Sequence, residues 1–216
     1  MDRIIDIVLP AIPQTLVMVL ASTIIALLIG IPLGIILTTT RPGGLTESTK
    51  LYSILDGIIN VLRSFPFVIL MIVVFPLSRL IVGKSYGTAA MIIPLSLSAA
   101  PFVARLMEGY FIQVDQGIIE AAKSMGSTKS EIIFKVLIPE AMPMVVTGIT
   151  MTIINVIGYS AMAGVMGGGG LGDVANRYGY QRNEPLILWS AVIVIIILVQ
   201  IVQLIGNKIA DKIDRR

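Results

Sequence analysis

Between Asp6 and Arg41 the chain carries no Asp, Glu, Lys or Arg, and that gap constrains the fold more than any other feature. The stretches 85–104, 141–172 and 185–207 are equally bare. Each is long enough to cross a bilayer, whose hydrocarbon core of ~30 Å takes about 20 residues of helix. Backbone amides find no water there, so a spanning segment must satisfy its own hydrogen bonds, as a helix does. Composition agrees. With 56% hydrophobic residues, 13% charged residues and a mean hydropathy of +0.92, the 216-residue chain has too little polar surface to cover a water-soluble core; an ordinary soluble domain is roughly 25% charged.

The expected fold is all-α: one polytopic transmembrane unit over 1–216, with spans at about 12–38, 57–79, 86–107, 143–166 and 185–206. The first uncharged stretch is about twice the length of a signal-peptide apolar region, so it is expected to stay as a span. Pro10 and Pro13 suit a turn leading into it. Pro32, within Gly30-Ile31-Pro32-Leu33-Gly34, is expected to kink it, and Gly30 with Gly34 permits close helix contact. Orientation follows from the cations. With the N-terminus outside, the cytoplasmic set is Arg41, Lys50, Arg63, Arg105, Lys123, Lys129, Lys135, Lys208, Lys212, Arg215 and Arg216. The outer set is Arg3, Arg79, Lys84, Arg177 and Arg182. Eleven against five predicts N-out, C-in.

Several function classes drop out. The chain has no Cys and no His, which removes disulfides, thiolate metal sites and imidazole acid–base chemistry. No catalytic residue and no metal site is expected. The net charge of +3 sits beside apolar spans, as topology requires, and no nucleic-acid partner is expected. A stand-alone ion-coupled carrier would need carboxylates within the membrane. Only Asp56 and Glu108 come near a span end.

The loop 108–142 reads as a docking device. Asp115 can cap a short helix that ends at Gly126. Thr128 with Glu131 forms a capping box that opens a second short helix, which Pro139 is expected to end or turn. Ile118, Ala122 and Met125 fall on one face of the first helix. Such an element fits a groove on a cytoplasmic partner, and equally a bilayer surface.

Glu120-Ala121-Ala122, then Gly126, then Ile138-Pro139 resembles the "EAA" loop of bacterial ABC importer permeases, including its place before the penultimate span. Asn60-Val61-Leu62-Arg63-Ser64-Phe65-Pro66-Phe67, Ala99-Ala100-Pro101-Phe102-Val103-Ala104-Arg105 and the run from Gly158 through Gly170 to Tyr180 extend the resemblance. They are similar to the methionine-uptake branch, over about residues 10 to 210. The resemblance implies a type I importer permease working as two copies of itself. It implies two cytoplasmic ATPase subunits that bind ATP and Mg, and an external methionine-binding lipoprotein. It also implies that Glu120, Ala121, Ala122, Met125, Gly126, Ile138 and Pro139 form the ATPase-coupling element, while this chain binds no cofactor itself.

Other residues carry two readings each. Gly148, Thr152, Asn155, Tyr159 and Met162 recur on one face of the fourth span. That stripe faces the translocation path or dimer axis, or else binds this helix to a neighbour. Arg63 is a gate or coupling contact, or an interfacial anchor, and Pro66 softens the helix beside it. Gly167, Gly168, Gly169 and Gly170 lack the Lys-Ser/Thr of a nucleotide loop. They read as a turn approaching another chain, part of an external lip. The eleven methionines read as flexible membrane packing. Met162 alone is kept as a path candidate.

Overall fold

The computed structural model describes residues 2–214, and Arg215 and Arg216 of the cytoplasmic set lie outside the described residues. A short helix α1 (Asp2–Val8) leads into α2 (Ala11–Thr40), which continues uninterrupted through Pro32. Helix α5 (Thr88–Ile112) packs along α2 and forms the centre of the protein. Gly30 and Gly34 set that approach. A Cβ added to Gly30 would lie 2.5 Å from Val103 Cβ, and one added to Gly34 would lie 2.6 Å from Met107 Cβ. Met18, Met71, Met91, Leu95, Val103 and Met107 are fully buried around this contact. Unbranched methionines fill an irregular groove well.

The second expected span is not one helix. It divides into α3 (Thr49–Ser64) and α4 (Phe67–Val82), bent by 105°. Pro66 is the cause. It has no N–H for a helical bond, and its ring drives the preceding residue out of the α region. Phe65 is extended accordingly, at φ −70° and ψ 126°. Pro66 therefore breaks the helix rather than softening it. Among the described residues, four helical stretches are long and apolar enough to cross a membrane, and the bent pair makes a fifth only if counted as one span.

Beyond α5, helix α6 (Gln116–Ser124) lies across the start of a long rod: α7 (Lys129–Glu131), a wider π-helical turn (Ile132–Leu137) and α8 (Ile138–Ala163). Pro139 neither ends nor turns this rod, contrary to expectation. In a regular helix its ring would crowd the carbonyl of Lys135. The π turn just before it, where Ile138 N–H donates to Ile133 O, opens the spiral. A glycine-rich turn and α9 (Gly170–Val174) then lead, through a further π turn (Ala175–Tyr180), to α10 (Pro185–Ile213). Helix α10 meets α8 where Gly206 crosses Thr150, and turns Ile193, Ile197 and Leu204 outward. Trp189 and Tyr180 stand exposed near its outer end, the level at which aromatic rings favour the membrane interface.

Candidate functional site

The α6 elbow forms as its capping residues dictate. Gly117 N–H donates to Asp115 Oδ1 at 2.7 Å, and Gly126 closes the helix with φ +80°. Thr128 and Glu131 complete the reciprocal capping box. Lys135 bonds Glu131 at 2.9 Å. Together with the Thr128 bonds it holds the Glu131 carboxyl down to about 2, so the box stays ionised at neutral pH.

The face that anchors α6 is shifted from the expected one. Ile119 and Ala122 are buried against Ile132 and Leu137, while Ile118 turns outward and Met125 is 78% exposed. Glu120 and Ala121 are also exposed. Phe134 stands 65% exposed on the neighbouring π turn, a protruding aromatic that the sequence reading missed. The elbow is thus clamped from inside and presents Ile118, Met125 and Phe134 outward around Glu120, which has no ion-pair partner among the described residues. Ile138 is partly buried and Pro139 exposed at the start of α8.

On α8 the expected stripe mixes two faces. Gly148 and Thr152 lie inside the protein. Gly148 faces Tyr110, Met107 and Leu106, and the Thr152 hydroxyl donates to Gly148 O at 2.8 Å. The open face is Met151, Asn155, Gly158 and Met162: Met151 and Met162 are half-exposed, and a Cβ on Gly158 would meet nothing within 4 Å. Tyr159 borders it, stacked on Phe67 with ring centroids 4.6 Å apart. That contact ties α8 to the α3–α4 bend, where Arg63 is exposed in the last turn of α3 and Pro66 forms the corner.

Beside the bend lies an ionic cluster that the sequence reading treated only as separate charges. The Arg105 guanidinium donates to Asp56, to Glu108 at 2.7 Å and to Asn60 at 3.0 Å. Glu108 is buried to 3% side-chain exposure, so its charge is held by this pairing. The Arg105–Glu108 spacing of three along α5 was a readable signal. The Asp56 partner, on another helix, was not.

The glycine-rich turn also makes close approaches within its own chain. Gly170 N–H donates to Gln14 Oε1 at 2.8 Å, and Leu171 N–H to Thr15 Oγ1 at 2.9 Å. Thr88 bonds Gly168 O at 3.2 Å. Gly168 and Gly170 are buried, Gly169 is partly buried, and only Gly167 is exposed. Around them Arg3 pairs with Glu184, Arg177 with Asp173, and Arg182 lies over Tyr178.

A helical membrane unit with a capped, protruding elbow before its penultimate long helix is the architecture the importer-permease resemblance leads one to expect. Residues 30–216 match the family described as "Binding-protein-dependent transport system inner membrane component", and the chain belongs to that family of multi-pass inner-membrane proteins. It is 47% identical over 211 residues to the probable D-methionine transport system permease protein MetI of Vibrio cholerae, covering 98% of this chain and 94% of that one. It is 44% identical to the methionine import system permease protein MetP of Bacillus subtilis, covering 84% and 82%. Its fold superposes with a TM-score of 0.98, at 38% identity and full coverage of both chains, on a structure of inward-facing conformations of the MetNI methionine ABC transporter. An amino acid ABC transporter with histidines shares the fold at 20% identity, with a TM-score of 0.75.

Proposed function

We propose that this chain is the membrane-spanning subunit of an ATP-driven importer whose cargo is methionine. Two copies enclose an alternating-access path, N-terminus out and C-terminus in. Two cytoplasmic ATPase subunits, holding ATP and Mg, grip the elbows, and an external methionine-binding lipoprotein delivers the cargo. The chain is a single transport unit over 1–216 and is not itself an enzyme.

The observation that carries this reading is the elbow. Glu120, Ala121 and Ala122, with Met125 and Gly126 closing it, form a short capped helix whose inner face is locked to the π turn that leads into α8, while Met125 and Phe134 are left uncovered. Ile138 and Pro139 continue it into α8, so force on α6 reaches the rod directly. Helix-in-groove recognition uses such apolar anchors. Asn155, Tyr159 and Met162 mark the path, with Thr152 behind them inside the protomer. Arg63 and Pro66 form its inner corner. Gly167 to Gly170 shape the outer rim, with Gly167 its exposed member.

Reconstitution tests the reading. Wild-type complex with its ATPase and binding protein should import methionine into proteoliposomes in preference to other amino acids. Glu120→Lys should cut uptake at least about tenfold, because one reversed charge at a desolvated contact exceeds 1.4 kcal/mol. Uptake unaltered by that reversal would remove the docking role.

A further inference from the structure

A cleft of about 160 Å³ opens between the end of α3 and the last third of α5, lined by Arg63, Phe102, Arg105, Leu106, Tyr110 and Gln113. Its two arginines differ. Arg105 is engaged by Asp56, Glu108 and Asn60. Arg63, among the described residues, has no ion-pair partner. A guanidinium presents five donors that suit a planar carboxylate, and Arg63 leaves them free.

The other end of the cleft holds the guanidinium of Arg105, neutralised by its ion-pair partners. Asp56 and Glu108 do not line the cleft, but both pair with Arg105 and so cancel its charge towards an occupant. Gln113 donates from Nε2 to Gly109 O at 2.9 Å, which leaves its Oε1 as an acceptor. Phe102, Leu106 and Tyr110 supply an apolar wall between the two ends. One free cation, a spare amide oxygen beside a neutralised arginine, and an apolar wall match a zwitterionic amino acid with an apolar side chain.

The cleft also adjoins the open face of α8. Tyr110 reaches Met151 Sδ at 3.9 Å, and Phe67, four residues after Arg63, stacks on Tyr159. At its lower edge Gln113 lies two residues before Asp115, the cap of α6. An occupant would therefore sit between the α8 face and the elbow.

We propose that this cleft is a holding site for cargo near the inner end of the path, with Arg63 taking the carboxylate, Gln113 the ammonium, and Phe102, Leu106 and Tyr110 the thioether chain. The assignment rests on the importer reading above. Equilibrium binding of tritiated methionine to the nucleotide-free permease–ATPase complex, without binding protein, tests it. Wild type should bind methionine, and methioninol, which lacks the carboxylate, should compete roughly tenfold less well. Arg63→Gln should weaken binding by about the same factor, and Arg63→Lys should restore part of it. The competition arm needs no variant, so it decides the matter even if Arg63→Gln fails to assemble. Absence of wild-type binding, equal competition by methioninol, unchanged affinity in an assembled Arg63→Gln complex, or displacement by phosphatidylglycerol would overturn the site. Binding-protein-dependent uptake by the same wild-type preparation separates the two readings. If uptake fails, the importer reading falls; if uptake persists and Arg63 has no effect, only the cleft does.

Discussion

Gly126 and Gly170 both adopt positive φ, +80° and +76°, but for different structural reasons. A Cβ on Gly126 would meet nothing within 4 Å, so glycine there serves only the left-handed turn that ends α6. A Cβ on Gly170 would stand 2.6 Å from Thr15 Oγ1, and neighbouring Gly172 would place one 2.1 Å from Ala161 O. At the elbow the backbone is free and the surface uncovered. At the outer turn the backbone is packed into the ends of α2 and α5. One corner is built to be gripped, the other to hold the helix ends in place.

Substitutions can break that contrast. Gly172→Ala should be the most damaging, at about 3 kcal/mol or more, because the obstructing atom is a backbone oxygen in a packed core; thermal melting in detergent reads it. Thr15→Val leaves the buried Leu171 N–H without its acceptor and should cost about 2 kcal/mol in the same melt. Gly126→Ala meets no atom and carries only the left-handed penalty, about 1 kcal/mol. A Gly126→Ala loss as large as that of Gly172→Ala would erase the distinction.

The smallest effect concerns the capping box, outside the bare stretch 141–172. Glu131 has a folded pKa near 2 against an ordinary 4.5, so its contribution is fully present above about 4.5 and is lost only as pH falls through about 2. Amide exchange at the start of α7 should therefore be protected at pH 5, and Glu131→Gln should weaken that protection without moving the global melt.

Much of this was legible in the sequence, for identifiable reasons. Bare stretches announce spans because charge is excluded from hydrocarbon. Asp115, Gly126 and the Thr128–Glu131 box announce the elbow because caps act within three or four residues. Gly30 and Gly34 announced a close helix contact, though not its partner, α5. What escaped depends on register or distance in the chain. On α8 spacings of four, seven and eleven residues cannot decide whether Thr152 or Met151 shares the open face with Asn155, and the packing of Gly148 on Tyr110 decided it. The break at Pro66 was read as softening because apolarity continues across it. Gln14 and Thr15 meet the glycine turn across 156 residues, which no local pattern reports.

The elbow as handle can be tested directly, since the chain contains no cysteine. A single Met125→Cys variant carrying a short photoactivatable cross-linker, in the assembled complex, should capture the ATPase subunit in a nucleotide-dependent yield, while Trp189→Cys captures no protein on that side. If Met125→Cys labelled only lipid, with ATPase present and active, the claim that α6 transmits its motion would be wrong.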